Sequence, residues 1–564
     1  MADGQLTLEE SRVVYARERD KRMRPEGRAQ YSDLSGEYES FDNDPYADPN
    51  FTRASRTEDV EVVIIGAGFG GMMAAANLRK QGIDSFRIIE KAGDFGGTWY
   101  WNRYPGCQCD VESYIYLPLL EDTGYMPTMR YARAYEIFEY CQLLGRTFNL
   151  YENALFQTEV DTMDWSDDTS RWTTVTSRGD RITSKYIVIA GGVLNKAKLP
   201  RIKGITKYKG KMFHTSRWDY SWTGGSPRGD MDKLADKRVA IIGTGATAVQ
   251  VVPQVAEYAK DVYVIQRTPA FVGIRNQAPT DPAAFAEMAS KPGWQDERIR
   301  NFTAAVSGLK PPSNMVGDEW TKVMWTDTTA KGATPEEQEA LDQHDLDIMN
   351  AARKRVADTV TDPETAAKLM PYYGVRCKRP CFHDEYLPAF NRDNVHLLDT
   401  DGKGVDEITE SGVVVDGVEY PVDLIVFASG FEVTSDYHHR LGFDPHGRNG
   451  ISMSESWGEG AHTYHGVFTH DFPNLLMIST VQGGFGVNFV HYISETSKHV
   501  AWIIAECDRR GITEIEAEPS AEDAWLMTLL MRMDGIGAYN ASCTPGYLNS
   551  CLLYTSDAAD DTPC

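Results

Sequence analysis

The feature that most constrains this chain is a glycine-rich turn between an apolar strand and a helix of small residues, in VEVVIIGAGFGGMMAAANLRKQG. Gly66, Gly68 and Gly71 give the spacing GxGxxG, in which the backbone turns tightly and approaches a pyrophosphate at the helix N-terminus. The next strand, FRIIE, ends at Glu90, where a carboxylate can accept hydrogen bonds from ribose hydroxyls. An acid there favours a nucleotide without a 2′-phosphate, so this motif predicts FAD or NAD.

A second strand, turn and helix of the same kind follows in DKRVAIIGTGATAVQVVPQVA, with Gly243, Gly245 and Ala248 as GxGxxA. Its next strand, VYVIQRTP, carries Arg267 and Thr268 where an NAD site would carry an acid. A positive charge and a hydroxyl suit a ribose 2′-phosphate, so this site is predicted to take NADP. The chain is therefore predicted to be an α/β protein with two dinucleotide-binding, Rossmann-like domains.

Length and charge narrow the class of protein. A chain of 564 residues suggests two to four domains with room to bury a cofactor. Its 57 basic and 82 acidic side chains leave a formal net charge of −25, which repels nucleic acid and anionic membranes. The highly charged first thirty residues do not resemble a signal peptide, and we expect a cytoplasmic enzyme that binds neither nucleic acid nor membrane.

The nine cysteines are odd in number and follow no regular framework. Cys107 and Cys109 form CxC, while Cys377 and Cys381 form CxxxC, and neither spacing matches a zinc site or a redox-active cysteine pair. We therefore predict reduced thiols in a reducing compartment and no metal site.

Between the two signatures, the run GGTWYWNRYPGCQCDVES combines paired glycines, aromatic rings and a carboxylate. Gly97, followed by Thr98, allows close backbone approach, Trp99 and Tyr104 can enclose a planar ring, and Asp110 adds a charge beside it. Aromatic clusters usually belong to a protein core. The density of this one beside a phosphate-binding loop favours a flavin site instead.

The stretch YKGKMFHTSRWD, residues 208–219, also lies between the signatures and belongs to neither. It contains Gly210, His214, Trp218 and Asp219. By itself, a histidine near a tryptophan is more often a packed or capping residue than a functional one.

These stretches resemble the class B (type I) flavin-dependent Baeyer–Villiger monooxygenases. The fingerprint FxGxxxHxxxW(P/D) is present with Tyr208 in place of phenylalanine, and GGTWYWNRYPG followed by CDxES is close to the family's flavin-binding run. CKRP before FNRDNV, ASGF and FPNLL follow in the family's order, so the resemblance extends over residues 59–550.

The resemblance implies FAD at the first site and NADPH at the second. It implies that NADPH reduces FAD, that O2 adds to form a flavin C4a-peroxide, and that the peroxide attacks a ketone to give an ester or lactone. It further implies that Arg379 stabilises the peroxide and the oxyanion, that Asp110 orients Arg379, and that Lys378 joins the coenzyme site.

Two departures concern the substrate and the rival functions. STVQGG stands where many members carry GPxSP, and together with the long N-terminal arm it resembles members that accept large cyclic or polycyclic ketones. One alternative is a class B monooxygenase that oxidises nitrogen or sulfur, which Trp218 disfavours because such enzymes usually carry Tyr or Phe there. The other is a catalytically impaired flavoprotein that holds FAD without oxygenating a substrate.

The predicted domain boundaries follow the motifs. We predict a helix at Leu6–Arg24, followed by an arm that is either extended along the body or a disordered leader. An inserted helical subdomain is predicted after the second signature. The strand in VDLIVF is expected to complete the first sheet. The predicted segments are an N-terminal helix and arm (1–57), a discontinuous FAD domain (58–199 and 397–550), an NADP domain (200–396) with a helical insertion at about 281–365, and a non-native tail (551–564).

We predict that residues 551–564 add nothing specific to the fold, because their composition shows no periodic apolar pattern. An enzyme shortened to Ser550 should keep the FAD content and melting temperature of the full chain. A loss of flavin together with a drop of several degrees would show instead that this tail is packed.

Overall fold

The computed structural model describes residues 4–309, 311–324, 334–484, 486–532, 536–546 and 549, so the predicted tail lies outside the described residues. In chain order the strands are β1 Tyr31–Ser32, β2 Thr57–Ile65, β3 Phe86–Ile89, β4 Ala154–Leu155, β5 Val160–Ser166, β6 Arg171–Thr176, β7 Arg181–Ile189, β8 Leu199–Pro200, β9 Lys211–His214, β10 Arg238–Ile242, β11 Asp261–Gln266, β12 Val272–Gly273, β13 Cys381–Phe382, β14 Val395–Asp399, β15 Glu407–Ile408, β16 Gly412–Val415, β17 Val418–Pro421, β18 Leu424–Phe427 and β19 Leu475–Met477.

The α-helices connect these strands and cover the sheets. In chain order they are α1 Leu8–Asp20, α2 Phe69–Lys80, α3 Thr98–Trp101, α4 Ser113–Tyr116, α5 Leu120–Thr123, α6 Ala134–Thr147, α7 Tyr220–Thr223, α8 Ala246–Tyr258, α9 Pro282–Ala289, α10 Trp294–Val306, α11 Glu319–Met324, α12 Pro335–Thr359, α13 Pro363–Leu369, α14 Tyr386–Ala389, α15 Tyr437–Leu441, α16 Met453–Ser456, α17 Phe489–Arg510, α18 Pro519–Arg532 and α19 Ile536–Ser542.

The first signature builds a seven-stranded sheet of order β4-β3-β2-β7-β6-β5, to which β19 is added beside β7. The central strand β2 is parallel to β3 and β7, and its last four residues are all buried, as expected for a parallel strand covered on both faces. Helix α2 follows the glycine turn and packs on α17, where Asn77 donates a hydrogen bond to Ser497 Oγ at 3.0 Å. The predicted first dinucleotide-binding unit is therefore present.

The second signature builds a separate, fully parallel sheet of order β14-β11-β10-β18-β9. The prediction that VDLIVF completes the first sheet is wrong, because β18 pairs with β10 and β9 of the second. Strand β14, which spans the predicted boundary at residue 397, pairs with β11 in this sheet as well. The first sheet receives β19 instead, so the return of the chain to the first unit occurs after β18.

The N-terminal segment is packed on both units, which decides between the extended arm and the disordered leader in favour of the arm. Helix α1 begins after Thr7, whose side chain and that of Glu10 form a capping box, and it ends at Asp20, earlier than predicted. Further along the arm, Phe41 is buried against Phe427 of β18 with their ring centres 5.6 Å apart.

The predicted helical insertion is also present. Helices α9 to α13 occupy this part of the chain, and α12 begins after Thr334, whose hydroxyl accepts a hydrogen bond from the Glu337 amide. Among the residues that the structure describes, no helix is long and apolar enough to cross a membrane.

One cysteine prediction is wrong. Cys377 and Cys543 form a disulfide across 166 positions of sequence, whereas five other described cysteines, all buried, remain free. The bond ties the segment after α19 to the residue that precedes Lys378 and Arg379. The spacing of the cysteines could not reveal this pair, because a separation of 166 positions is far longer than that of any local cysteine motif.

We predict that the disulfide stabilises the joined segments. Replacing Cys377 by Ser, or adding a reductant to the parent enzyme, should lower the melting temperature by several degrees, because closing a loop of this length removes about 2–5 kcal/mol of unfolded-state entropy. Differential scanning calorimetry measures the change. The Cys377→Ser variant serves as control, since reductant should have no further effect on it, and equal melting of parent and variant without reductant would contradict the prediction.

Candidate functional site

The first glycine loop leaves no room for side chains. Gly66 has a φ of +97°, and a Cβ there would lie 2.5 Å from the Ala190 carbonyl oxygen. A Cβ on Gly71 would overlap the Gly66 carbonyl, and one on Gly97 would lie 2.7 Å from the Cα of Gly68. The two predicted flavin-binding segments therefore meet backbone to backbone, and each of these glycines is required by close approach.

The loop also offers polar groups suited to a nucleotide. Gly68 is the N-cap of α2 and provides no side-chain cap, so backbone N–H groups of the first turn stay available to an anion. Glu90 is buried, and its carboxylate accepts hydrogen bonds from the amides of Ala67 at 2.6 Å and Ala92 at 2.8 Å. These features fit the ADP half of FAD.

The rings of the aromatic run are buried, and they have different partners. Trp99 Nε1 donates to the Tyr116 hydroxyl at 3.2 Å, next to Thr98, which begins α3. Tyr104 instead crosses to the second unit, where its hydroxyl donates to Gln250 Oε1 of α8 at 3.0 Å. This run therefore forms part of the joint between the two units.

The second glycine loop repeats the geometry of the first. Gly243 has a φ of +116°, and a Cβ there would lie 2.5 Å from the Ala428 carbonyl oxygen. Gly245 is the N-cap of α8 without a side-chain cap, and a Cβ on it would meet open space. Ala248 is fully buried against the sheet. An uncapped helix end beside open space fits the pyrophosphate of a second dinucleotide.

The residues predicted to bind the 2′-phosphate lie at the end of β11. Arg267 and Thr268 directly follow this strand, and both are half-buried. The hydroxyl of Thr244, in the glycine loop, donates to the Thr268 carbonyl oxygen at 2.6 Å. The loop and the predicted 2′-phosphate residues are thus one connected unit.

Lys378 is connected to the segment after β11 through Tyr373. Its ammonium donates to the Pro545 carbonyl oxygen at 2.6 Å and lies 5.7 Å from the ring centre of Tyr373. The Tyr373 hydroxyl in turn donates to the Pro269 carbonyl oxygen at 3.0 Å, one residue beyond Thr268.

The fingerprint residues lie at and around β9, an edge strand of the second sheet. Gly210 is required because the Tyr208 ring folds over it, so that a Cβ would overlap the phenol hydroxyl. That hydroxyl, the one group by which Tyr208 differs from phenylalanine, donates to the Val422 carbonyl oxygen at 2.9 Å. The departure from the family pattern therefore has a satisfied partner.

His214 and Trp218 are both buried. His214 Nδ1 accepts a hydrogen bond from the Ser216 amide at 3.2 Å, and burial lowers its pKa to about 3, so the ring is neutral. Trp218 Nε1 donates to Thr223 Oγ1 at 3.1 Å. Asp219 is the N-cap of α7. Each of these contacts joins the fingerprint to residues within five positions of it in the sequence.

The central feature of the cleft is a pair of oppositely charged side chains from the two units. Arg379 Nη1 and Nη2 donate to Asp110 Oδ2 at 2.7 Å and Oδ1 at 2.6 Å, a bidentate geometry. The Asp110 side chain is 5 % exposed and that of Arg379 is 37 % exposed. Arg379 is thus partly exposed, whereas its partner is buried.

Arg275 and Trp320 lie close to the Arg379–Asp110 pair, and the sequence analysis identified neither. Buried Arg275 donates to the carbonyl oxygens of Cys109 and Phe382, and it adds a second positive charge beside the carboxylate. Burial would raise the pKa of Asp110, but the charges of Arg379 and Arg275 hold it below its usual value. The guanidinium carbon of Arg379 lies 5.2 Å from the ring centre of Trp320.

Asp318, a residue of the helical insertion, lines the same crevice as Asp110. One of its oxygens accepts a hydrogen bond from the Thr321 amide at 2.9 Å. Burial, with added repulsion from Glu112, raises its pKa to about 6. No motif marks this residue, because its environment is created only when the insertion folds onto the first unit.

Known proteins resemble the whole chain. The family model for pyridine nucleotide-disulphide oxidoreductases matches residues 60–291. Neopentalenolactone D synthase from Streptomyces avermitilis is 46% identical over 97% of this chain and 93% of its own length. Baeyer-Villiger monooxygenase ATR8 from Stachybotrys chlorohalonatus is 45% identical over 95% of this chain and 87% of its own length.

Solved structures agree with these relatives. A polycyclic ketone monooxygenase from the thermophilic fungus Thermothelomyces thermophila superposes with a TM-score of 0.92 at 36% identity, covering 98% of this chain and 93% of that one. A structure of OTEMO in complex with FAD and NADP superposes with a TM-score of 0.72 at 25% identity, covering 84% of this chain and 89% of that one.

We predict that Asp318 destabilises the folded enzyme at neutral and alkaline pH. Its pKa rises from 3.8 to about 6 on folding, so ionisation costs stability increasingly as the pH rises from about 4 to 6, and the full cost remains above that range. Asp318→Asn should therefore raise the free energy of unfolding at pH 8 by about 3 kcal/mol, with a smaller gain at pH 5. Denaturant titration at both pH values measures this. Asp168→Asn, at an exposed position, is the control, and a gain independent of pH would contradict the assignment.

Proposed function

The chain belongs to the family of flavin-dependent Baeyer–Villiger monooxygenases, and from this we propose how its own residues convert a bulky cyclic ketone to an ester or lactone. It is an NADPH-dependent enzyme with FAD as its flavin. FAD, when bound and reduced by NADPH, would activate O2 so that one oxygen atom can be inserted next to the ketone carbonyl. The protein supplies position, charge and the exclusion of water.

The observation that carries the proposal is the bidentate pair of Arg379 and Asp110 at the meeting of the two units. In our proposal Arg379 donates hydrogen bonds to the oxygen atoms on which negative charge develops during the insertion. Its partly exposed face supports this role, because a donor must be reachable from the cleft. Removal of one such donor in other enzymes typically costs roughly 10²–10³ in rate.

Asp110 acts through Arg379. The carboxylate holds the guanidinium plane in one orientation, so that little reorganisation is needed when charge develops. The lowered pKa of Asp110 keeps the carboxylate ionised across the neutral range. Arg275 holds the loop behind it through the Cys109 carbonyl oxygen. Both residues are proposed to position the catalytic arginine.

Arg267 and Thr268 are the proposed residues for the 2′-phosphate of NADPH. Their place at the end of β11, tied to the glycine loop through Thr244, supports this assignment. Lys378 closes the same region from the segment next to Arg379. The coenzyme site and the oxygenation site are thereby proposed to share one short stretch of chain.

The substrate is proposed to be a bulky cyclic ketone. The resemblance to the fungal enzyme whose name specifies polycyclic ketones supports this choice, as do the long packed arm and the QGG loop. Ketones of graded size, from cyclohexanone to steroid skeletons, should be converted with kcat/KM rising with ring number. A preference for linear ketones, amines or sulfides would contradict it. We also propose a cytoplasmic location, in which the five buried free thiols stay reduced and the Cys377–Cys543 disulfide is the exception.

We predict that Arg379→Ala abolishes oxygenation and spares flavin binding. The variant should retain FAD and still oxidise NADPH, releasing hydrogen peroxide, while ester formation falls by roughly 10²–10³. Asp110→Ala should fall in the same direction by a smaller factor. NADPH consumption, peroxide and ester are measured together on purified enzyme.

The matched control is Arg376→Ala, an exposed arginine three residues before Arg379, which should make ester at the parent rate. An Arg379→Ala enzyme that also made ester at that rate would reject the proposed role. Loss of FAD from this variant would point to a structural role of the pair instead.

A further inference from the structure

The end of the N-terminal helix lies against the proposed 2′-phosphate residues. Arg22, two positions beyond α1, is 6 % exposed, and its Nε donates to Thr268 Oγ1 and to the Arg267 carbonyl oxygen, both at 3.0 Å. A residue from outside both dinucleotide-binding units thus contacts the hydroxyl that we assign to coenzyme recognition.

Arg22 is held in this position by the last turn of its own helix. Its Nη1 donates to the carbonyl oxygen and the carboxylate of Glu18, both at 2.7 Å. Burial disfavours the charged form of Glu18, yet its hydrogen bonds with Arg22 and Lys21 keep its pKa below the usual value. Lys21 is itself paired with Asp401 at 2.7 Å. Glu18 and Asp401 therefore have basic partners, whereas Asp399 at the end of β14 accepts a hydrogen bond from the Gln266 side chain at 3.2 Å.

The helix is in turn fixed to the helical insertion. The Asn350 side chain of α12 accepts from the Leu6 amide at 3.1 Å and donates to the Leu6 carbonyl oxygen at 3.0 Å. Beyond the helix, Gln30 Oε1 accepts from Arg267 Nη1 at 3.1 Å. The N-terminal segment thus contacts both predicted 2′-phosphate residues, through Arg22 and Gln30.

A buried guanidinium at this place has a chemical purpose beyond packing. The chain carries a net charge of −25, so an anionic ligand must be drawn in by local positive groups. Arginine binds phosphate with several directed donors, and Arg22 and Arg267 place two guanidinium groups around one strand end. A strand end with a single arginine would need no such support from a distant helix.

We propose that Arg22 is a further ligand of the NADPH 2′-phosphate, so that the N-terminal helix helps to select the coenzyme. The inference rests on the proposed placement of the 2′-phosphate at Arg267 and Thr268. Coenzyme selectivity then depends on a segment that precedes the first signature and is absent from both nucleotide-binding motifs.

The test measures nucleotide binding rather than turnover. Isothermal titration of the FAD-loaded enzyme with 2′,5′-ADP and with ADP separates the 2′-phosphate contribution from the rest of the nucleotide. Arg22→Gln should weaken 2′,5′-ADP binding about 10- to 50-fold while ADP binding changes less than about twofold. Arg22→Lys, which keeps the charge, should recover part of the loss. The kcat/KM ratio of NADPH to NADH should fall in parallel.

Two variants make the outcomes distinguishable. Arg12→Gln removes an exposed arginine of the same helix, paired with Asp342, and should leave both nucleotides unchanged. Arg267→Gln tests the placement itself. If Arg267→Gln discriminates between the nucleotides and Arg22→Gln does not, the role of Arg22 is rejected while the coenzyme site stands. If neither discriminates, the placement fails and the inference with it.

A purely structural role of Arg22 has its own signature. Arg22→Gln would then weaken 2′,5′-ADP and ADP by the same factor, with a lowered melting temperature and no recovery in Arg22→Lys. That result would overturn the proposal.

Discussion

The buried carboxylate of Asp110 is the constraint on which the arrangement of the two units depends. A charge removed from water costs several kcal/mol unless opposite charge and hydrogen bonds replace its hydration. Asp110 belongs to the first unit, whereas Arg379 and Arg275, which compensate it, come from segments that follow the second signature. Separating the units would leave this carboxylate uncompensated, so the pair that we assign to catalysis also joins the two halves.

The joint continues through the segment that precedes Asp110. A Cβ on Gly106 would lie 2.5 Å from the Gln250 carbonyl oxygen of α8, and the hydroxyl of Tyr104 is bonded to the side chain of the same glutamine. Helix α8 is the one that begins at the second glycine loop. The aromatic run of the first unit and the helix that follows the second glycine loop are therefore in direct contact.

The N-terminal segment adds a second set of links around the outside. Phe41 packs on the ring of Phe427 in the second sheet, and Arg22 contacts Thr268 at the end of β11. The arm also pairs with β8 through the short strand β1. A stretch that carries no nucleotide motif thus contributes contacts to the region where the coenzyme is proposed to bind.

The sequence by itself determined the local units. The two glycine turns, the N-terminal helix and the helical insertion each depend on residues that are close in sequence, so pattern reasoning predicted them. The identities of Asp110 and Arg379 came from a family resemblance, whereas their bidentate contact is a property of the fold.

Only the tertiary structure decided which sheet receives the strand in VDLIVF, because a strand buried on both faces has the same apolar pattern in either sheet. It also decided the Cys377 to Cys543 bond, the raised pKa of Asp318 and the position of Arg22. Each of these depends on groups that are distant in sequence becoming neighbours in space. Neither composition nor residue spacing specifies which distant groups come into contact.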